Sequence, residues 1–351
     1  MSELIVLREG SAVHLRLNRP EAINALTHGM VRQMNDALDW LENDPHVAAF
    51  VISGEGDRGL CAGGDIRSLY EAPRHDDGPS MAFWRDEYRL DARLAGLSKP
   101  VVSIMSGLVM GGGIGISAHC SHRVVTETSK IAMPECGIGF VPDVGATWLL
   151  PRAPGELGTW MGLTGRILGA ADAIRVGFAD VFIPSGRIAA FTAALAELPT
   201  DADRIAVDAL VAEFAENPGP AALDAERDLI DRTFCHDRVE NILAALESEA
   251  SEFAERTLKD LRAKSPTSLK LALLLSRLGR HAPTLEAALE LEFAACRTLV
   301  KGPDFYEGIR AQIIDKDRNP QWSPATLAEV SDDWVWNVLQ LTSDRVFPAS
   351  A

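Results

Sequence analysis

The chain has 351 residues, of which 47% are hydrophobic and 24% are charged, so it can bury a full-sized core and is not a disordered protein. Its 34 basic and 50 acidic residues give a formal net charge of −16, which argues against binding to duplex DNA or to an anionic membrane surface. The five cysteines include no C-x-x-C pair, which indicates a reducing compartment and no zinc or redox motif. No signal or transit pattern opens the sequence, so we expect a cytoplasmic protein.

Strand patterns are confined to the first half of the chain, at residues 4–7, 13–17, 48–53, 101–105 and 123–126. The first two are predicted to form a hairpin, and helical spacing is found at 31–41, at 90–97 and after the glycine triplet 111–113. Beyond Gly186, helical periods rich in Ala, Leu, Glu and Asp run from 188 to 299, with one helix predicted to begin at Pro266 under a Ser265 cap. The sequence therefore predicts an α/β region over 1–186 and a helical region over 187–351.

Three local patterns are weaker than they first look. The uncharged stretch between Lys99 and Arg123 is long enough to span a bilayer, but its five glycines dilute the hydrophobicity and interrupt a continuous helix. Residues 54–59 match G-x-G-x-x-G after a strand, yet no helical pattern opens within them, which argues against a dinucleotide site. His119 and His122 have no carboxylate at ligand spacing, so we expect no metal there.

Three glycine-rich segments combine with carboxylates, namely Cys61-Ala-Gly-Gly-Asp65, Met110-Gly-Gly-Gly-Ile-Gly115 and Met133-Pro-Glu-Cys-Gly-Ile-Gly-Phe-Val-Pro-Asp143. A single glycine cluster usually marks a turn, and a single glutamate is usually solvated. The combination is more informative, because a glycine-rich backbone can direct its N–H groups at a ligand. Two such groups can form an oxyanion hole.

With these segments in place, the sequence resembles the enoyl-CoA hydratase/isomerase (crotonase) superfamily over nearly the whole chain. Its tail is similar to the subgroup that hydrolyses 3-hydroxyacyl-CoA thioesters, in the segments Ser265-Pro-Thr-Ser-Leu-Lys270, Asp304-Phe-Tyr-Glu-Gly-Ile-Arg310, Ile314-Asp-Lys-Asp317 and Pro320-Gln-Trp322. The resemblance implies an α/β fold with a crotonase-type β-β-α spiral core over 1–186, which holds the active site. Residues 187–351 would form a helical C-terminal region that serves oligomerisation and covers the active site.

The same resemblance implies a CoA thioester as substrate and partner, with no cofactor, no metal, no nucleic acid and no membrane, and it allows a homo-oligomer. It implies that the backbone N–H groups of Ala62 and Gly112 form the oxyanion hole and that Glu135 is the catalytic carboxylate. Asp143 would hold the substrate hydroxyl or order the water, and Glu87 matches a substrate-contacting glutamate. The residues that match the family's CoA-binding path are Ala22, Ala62, Asp65 and Ile66.

The chain departs from the hydratases of the family at Gly115, where they carry a second glutamate. Adding water to a double bond is easiest with two positioned carboxylates, so hydratase chemistry is disfavoured. The resemblance then implies hydrolysis of a short 3-hydroxyacyl-CoA such as 3-hydroxyisobutyryl-CoA, a step of valine catabolism. Glu135 would either attack the thioester or activate water. The alternatives are an enoyl-CoA isomerase or weak hydratase and a non-catalytic assembly protein. Two residues have structural alternatives: Glu87 as a solvated helix acid and Asp143 as a helix cap.

Overall fold

A six-stranded sheet organises the strand-bearing part of the computed structural model, which describes residues 2–71, 77–340 and 342–347. The strands of the described residues are β1 (Leu4–Glu9), β2 (Ala12–Leu17), β3 (Ala49–Gly54), β4 (Val101–Met105), β5 (Leu108–Met110), β6 (His122–Val125), β7 (Lys130–Ala132) and β8 (Val181–Phe182). The sheet order is β1-β2-β3-β4-β6-β8, and β5 pairs with β7 separately. Only β1 and β2 are antiparallel; every other neighbour pair of the large sheet is parallel.

The helices of the described residues follow in chain order as α1 (His28–Leu41), α2 (Ile66–Glu71), α3 (Asp77–Gly96), α4 (Gly112–Ala118), α5 (Ala146–Leu149), α6 (Leu157–Thr164), α7 (Ala170–Arg175), α8 (Ser185–Ala196), α9 (Arg204–Phe214), α10 (Arg227–Phe234), α11 (Val239–Glu247), α12 (Glu252–Arg262), α13 (Pro266–Gly279), α14 (Leu285–Leu299), α15 (Pro303–Ile309) and α16 (Asp332–Val338). Short 3₁₀ turns lie at Pro20–Ala22, Glu135–Ile138, Leu150–Arg152, Ala222–Asp224 and Leu327–Glu329, and a π-helical turn at Arg310–Ile314.

The chain divides into two units that interleave along the sequence. The first comprises Met1–Asp65, Asp86–Ile131 and Ile167–Ala221, and it contains the large sheet. The second comprises Ile66–Arg85, Ala132–Arg166 and Ala222–Ala351, and it consists mainly of helices.

The core of the first unit lies on one face of the sheet. Side chains of β3 and β4, among them Val51 and Val102, pack there with Phe191 and Leu195 of α8 and Val207 of α9. Parallel strands buried on both faces are continuously apolar, which is why the runs 48–53 and 101–105 predict their strands closely. The hairpin of β1 and β2 is also confirmed.

The second unit is built around α13, most of whose residues are buried. Pro266 occupies its first turn, and the Ser265 hydroxyl accepts a hydrogen bond from the Ser268 N–H at 3.1 Å, so the predicted helix start is confirmed. The helix contacts α5, α6, α14 and α16.

The structure also shows where local patterns fall short. Helix α1 begins three residues before the predicted 31–41, because the Thr27 side chain accepts a hydrogen bond from the Met30 N–H. Strands β5, β7 and β8 have two or three residues each and carry no pattern of their own. The last strand of the described residues ends at Phe182, as the loss of strand patterns near residue 186 predicts. The functional division into 1–186 and 187–351 remains a prediction. No helix in the described part of the chain is long and apolar enough to cross a membrane.

Candidate active site

In the first unit, the glycine-rich loop after β3 runs beside β5 and reaches the start of α4. The Met110 N–H donates a hydrogen bond to the Cys61 carbonyl at 3.0 Å. A Cβ atom on Gly63 would lie 3.8 Å from the Gly111 Cα and 3.9 Å from the Gly112 nitrogen. The two segments that the family resemblance assigns to the oxyanion hole are therefore neighbours.

The peptide groups of this loop point in different directions. The Ala62 N–H donates a hydrogen bond to the Ile23 carbonyl at 3.0 Å, so this donor, which the resemblance placed in the oxyanion hole, is already used inside the fold. The Gly63 carbonyl accepts a hydrogen bond from the Leu26 N–H at 2.8 Å. Since C=O and N–H point in opposite directions in a trans peptide, the N–H of Gly64 points away from Leu26. The geometry thus favours Gly64 over Ala62 as the partner of Gly112.

The conformation of Gly63 explains the difference. In a regular extended segment, residues two apart direct their N–H groups to the same side, so Ala62 and Gly64 would be equivalent. Gly63 has φ of +106°, which interrupts that alternation, and its own N–H donates to the Cys61 sulfur at 3.4 Å. Sequence reasoning missed Gly64, because a row of glycines does not reveal which of them takes a positive φ.

Gly112 is the first residue of α4, about two turns of helix whose seven residues are all buried. Its N–H has no acceptor within the helix, as is general for the first turn. Glu87 of α3 is 2% exposed, and its Oε1 would clash with a Cβ on Gly112. The interpretation of Glu87 as a solvated acid is therefore wrong. Gly115 also lies in α4, so this helix carries no carboxylate at the position used by hydratases.

In the second unit, Glu135 and Asp143 are brought together by a folded-back turn. Glu135 begins the 3₁₀ turn Glu135–Ile138, and the chain reverses at Gly139, whose φ is +71°. Both carboxylates are only 5% exposed, and the Asp143 charge acts on Glu135. The two residues share one buried environment, as the sequence predicts.

A third carboxylate, Glu292 of α14, belongs to the same environment and was not predicted. Its two oxygens accept hydrogen bonds from the Gly145 N–H at 2.8 Å and the Thr147 N–H at 2.6 Å. The residue that caps α5 is Gly145, and Glu292 takes the role of acceptor that a side-chain cap would have. The interpretation of Asp143 as the cap of this helix is therefore wrong.

A sequence signal for Glu292 did exist. It lies seven residues after Leu285 and three after Leu289, on the apolar stripe of α14, so helical spacing alone predicts that its side chain is buried. Which groups it meets there depends on the loop 143–147, far away in the sequence.

Burial and the neighbouring charges shift the pKa values of the groups in this cluster. Burial raises the pKa of Glu135 well above its usual range, and the Asp143 charge raises it further, while Lys264 acts in the opposite direction. Burial likewise lowers the pKa of Lys264, whose Nζ would lie 3.4 Å from a Cβ on Gly137. The Glu135 Oε2 makes no hydrogen bond to any described residue. A buried carboxylate whose pKa is raised in this way is a candidate general base.

The remaining predicted residues lie on the following elements. Asp65 pairs with Arg19 at 3.0 Å, and its N–H donates to the Leu26 carbonyl, so segments 19–26 and 61–65 run side by side with Ala22 and Ala62 on them. Ile66 opens α2 and is half-buried. His122 bonds Ser121 and Asp208 at 2.8 and 2.9 Å, and no group of three metal-binding side chains occurs among the described residues.

Comparison with known proteins covers nearly the whole chain. The family model described as enoyl-CoA hydratase/isomerase matches residues 12–339. The mitochondrial 3-hydroxyisobutyryl-CoA hydrolase of Danio rerio is 38% identical to this chain over 95% of this chain and 88% of the relative. That of Gallus gallus is 36% identical over 96% of this chain and 88% of the relative. The cytoplasmic location remains a prediction.

Two solved structures are similar over their full length. One, described as a carnitinyl-CoA dehydratase from Mycobacterium thermoresistibile, is 43% identical with a TM-score of 0.92 and covers 99% of both chains. The other, described as an enoyl-CoA hydratase from Rhodobacter sphaeroides, is 41% identical with a TM-score of 0.87, covering 96% of this chain and 97% of that one. Both similarities include the helical C-terminal region.

Proposed function

This chain belongs to the enoyl-CoA hydratase/isomerase family and has its α/β crotonase fold, and on that premise we propose that it hydrolyses a short-chain 3-hydroxyacyl-CoA thioester. The favoured substrate is 3-hydroxyisobutyryl-CoA, because relatives with that activity in their names align over about 95% of the chain. Two observations carry the proposal together. Glu135 is a buried carboxylate, and position 115, where hydratases carry their second carboxylate, is a glycine. Its place in valine catabolism stays a prediction.

In the proposed reaction, the N–H groups of Gly64 and Gly112 donate hydrogen bonds to the thioester oxygen and stabilise the negative charge that develops on it. In one form of the reaction, ionised Glu135 takes a proton from water as the water oxygen bonds to the carbonyl carbon. The carbon–sulfur bond then breaks, and the departing thiolate takes that proton, giving the hydroxy acid and free CoA.

In the other form, a Glu135 oxygen bonds to the carbonyl carbon and expels the thiolate, which is protonated by water. The resulting mixed anhydride is then hydrolysed and regenerates Glu135. Single turnover in ¹⁸O-labelled water can reveal the anhydride, because label appears in the Glu135 carboxylate only if the anhydride forms and water attacks at the Glu135 carbonyl. Label found only in the product is consistent with direct attack by water and with attack of water on the acyl carbon of the anhydride. Trapping with hydroxylamine then tests whether the anhydride forms.

Neither form needs a cofactor, since peptide N–H groups polarise the carbonyl and a side chain supplies the base. We therefore propose that turnover is unchanged after exhaustive dialysis against EDTA. Loss of turnover that added metal restores would contradict this part of the proposal.

The decisive experiment compares two products. We expect free thiol from 3-hydroxyisobutyryl-CoA and 3-hydroxypropionyl-CoA at a higher rate than hydration of crotonyl-CoA. Hydration of crotonyl-CoA without thiol release from either hydroxyacyl thioester would overturn the proposal.

A hydratase or dehydratase is the second candidate, because the two similar solved structures carry those descriptions. The same assay tests it, since a hydratase forms the hydroxyacyl-CoA and leaves the thioester intact. A non-catalytic assembly protein would show neither reaction and no calorimetric binding of CoA thioesters. Light scattering would test the predicted homo-oligomer.

A further inference from the structure

We propose that Glu292 is a positioning residue that holds the turn 143–147 and thereby presents Asp143 to the β-hydroxyl of the substrate. The inference rests on the proposed function and extends it to a residue outside the matched motifs. Glu292 is fully buried in α14 and is separated from Asp143 by almost half of the chain.

The contact is made through the backbone of the turn. Glu292 Oε2 accepts a hydrogen bond from Gly145 and Oε1 accepts one from Thr147, so one carboxylate ties two peptide groups located two and four residues after Asp143. The turn is closed on its other side by the Ala146 N–H, which donates to the Asp143 carbonyl at 2.8 Å. The position of Asp143 is thus coupled to that of Glu292.

The turn needs such a support. Val144 has φ of +53° and Gly145 has φ of +85°, two successive residues in the left-handed region. For a buried, β-branched valine this conformation is unfavourable, and it persists only where the surrounding structure imposes it. The two hydrogen bonds that Glu292 accepts from the N–H groups of the turn are contacts of the kind that can impose it.

The electrostatics fit the same role. Burial, and secondly the Asp143 charge, raise the pKa of Glu292 to about 8. Near neutral pH, Glu292 therefore tends to retain its proton, which reduces the repulsion on an ionised Asp143. An ionised Asp143 can accept a hydrogen bond from a substrate hydroxyl.

The test measures kcat/KM for 3-hydroxyisobutyryl-CoA and for isobutyryl-CoA, and takes their ratio as the hydroxyl preference. Glu292→Gln keeps the size of the side chain but replaces one acceptor oxygen by a donor, so one of the two peptide N–H groups loses its partner. We expect the hydroxyl preference to fall by about tenfold or more, as misplacement of a positioned group does, with little change for isobutyryl-CoA. In an Asp143→Ala background, Glu292→Gln should change the ratio by less than about twofold, since residues that act through one group are not additive.

Glu290→Gln is the matched control. Glu290 lies on the same helix and is also buried, but it accepts a hydrogen bond from the Phe347 N–H at 2.8 Å and pairs with Arg345. It should lose stability without changing the hydroxyl preference. A folded Glu292→Gln variant with an unchanged hydroxyl preference would overturn the positioning role. So would an equal loss of hydroxyl preference from Glu292→Gln in the wild-type and Asp143→Ala backgrounds.

Other outcomes are also decisive. If Glu292→Gln does not fold, Glu292→Asp withdraws the carboxylate by one methylene and must show the same loss of preference. If both variants unfold, Glu292 serves the fold alone and the proposal is rejected. A wild-type protein that releases no CoA refutes the proposed function instead, and a crystal structure of the folded variant with the turn 143–147 unmoved then refutes the positioning role separately.

Discussion

The Glu87 carboxylate lies against Gly112, so close that a Cβ atom at position 112 would clash with its Oε1. Both groups are buried, and the same Gly112 offers a first-turn N–H of α4 that we assign to the thioester oxygen. Any larger residue at position 112 would force the end of the Glu87 side chain to shift.

Gly112→Ala should therefore reduce both stability and turnover. We expect a loss of about 1–3 kcal/mol in the free energy of unfolding, the usual cost of overpacking, and a fall in thiol release. Gly186→Ala is the control, because nothing lies within 4 Å of a Cβ at that position of α8. It should be neutral or stabilising by up to about 1 kcal/mol. Wild-type stability and turnover in Gly112→Ala would show that this contact is readily relieved.

Glu135→Gln should lower turnover by at least about a hundredfold, the low end for removing a positioned general base. The amide keeps the size and polarity of the side chain but is neither basic nor nucleophilic, and CoA thioester binding should survive in calorimetry. Glu255→Gln, at an exposed position of α12, is the control and should keep wild-type turnover. If Glu135→Gln also keeps it, the catalytic carboxylate is another residue.

The pH profile should shift in opposite directions in two variants. Glu135 acts as its carboxylate, so kcat/KM should rise with pH through a pKa that burial and Asp143 raise above the usual range for glutamate. Removing a cation in Lys264→Gln raises that pKa further and moves the acidic limb to higher pH. Removing the like charge in Asp143→Asn moves it to lower pH. If both variants shift in the same direction, or neither shifts, the acidic limb of the profile does not report the pKa of Glu135.

Asp143→Ala should weaken the selection for the β-hydroxyl. A site built to bond a hydroxyl rejects an analogue that lacks it, because the buried polar group is then left without a partner. The wild-type protein should prefer 3-hydroxyisobutyryl-CoA to isobutyryl-CoA strongly, and the variant should lose at least about tenfold of that preference, chiefly through a lower rate on the hydroxylated substrate. An equal ratio in both proteins would show that another side chain binds the hydroxyl, and Glu87 would be the next candidate.

Much of this protein follows from local sequence. The apolar runs 48–53 and 101–105 become β3 and β4, because strands buried on both faces are apolar at every position. Ser265 and Pro266 begin α13 because capping and a preset φ act within one turn. The candidate site residues Glu135 and Asp143 are also close in sequence, so the turn between them can be predicted to bring them together.

Tertiary structure alone decided the remaining features of the candidate site. Whether Ala62 or Gly64 directs its N–H outward depends on the pairing of this loop with residues 23–26 and on the positive φ of Gly63. The partners of Glu292 lie about 145 residues away, at Gly145 and Thr147. Periodicity and capping report on burial and on backbone preference within a few residues. The direction of a peptide group and the partner of a buried carboxylate are instead set by segments that meet only when the chain has folded.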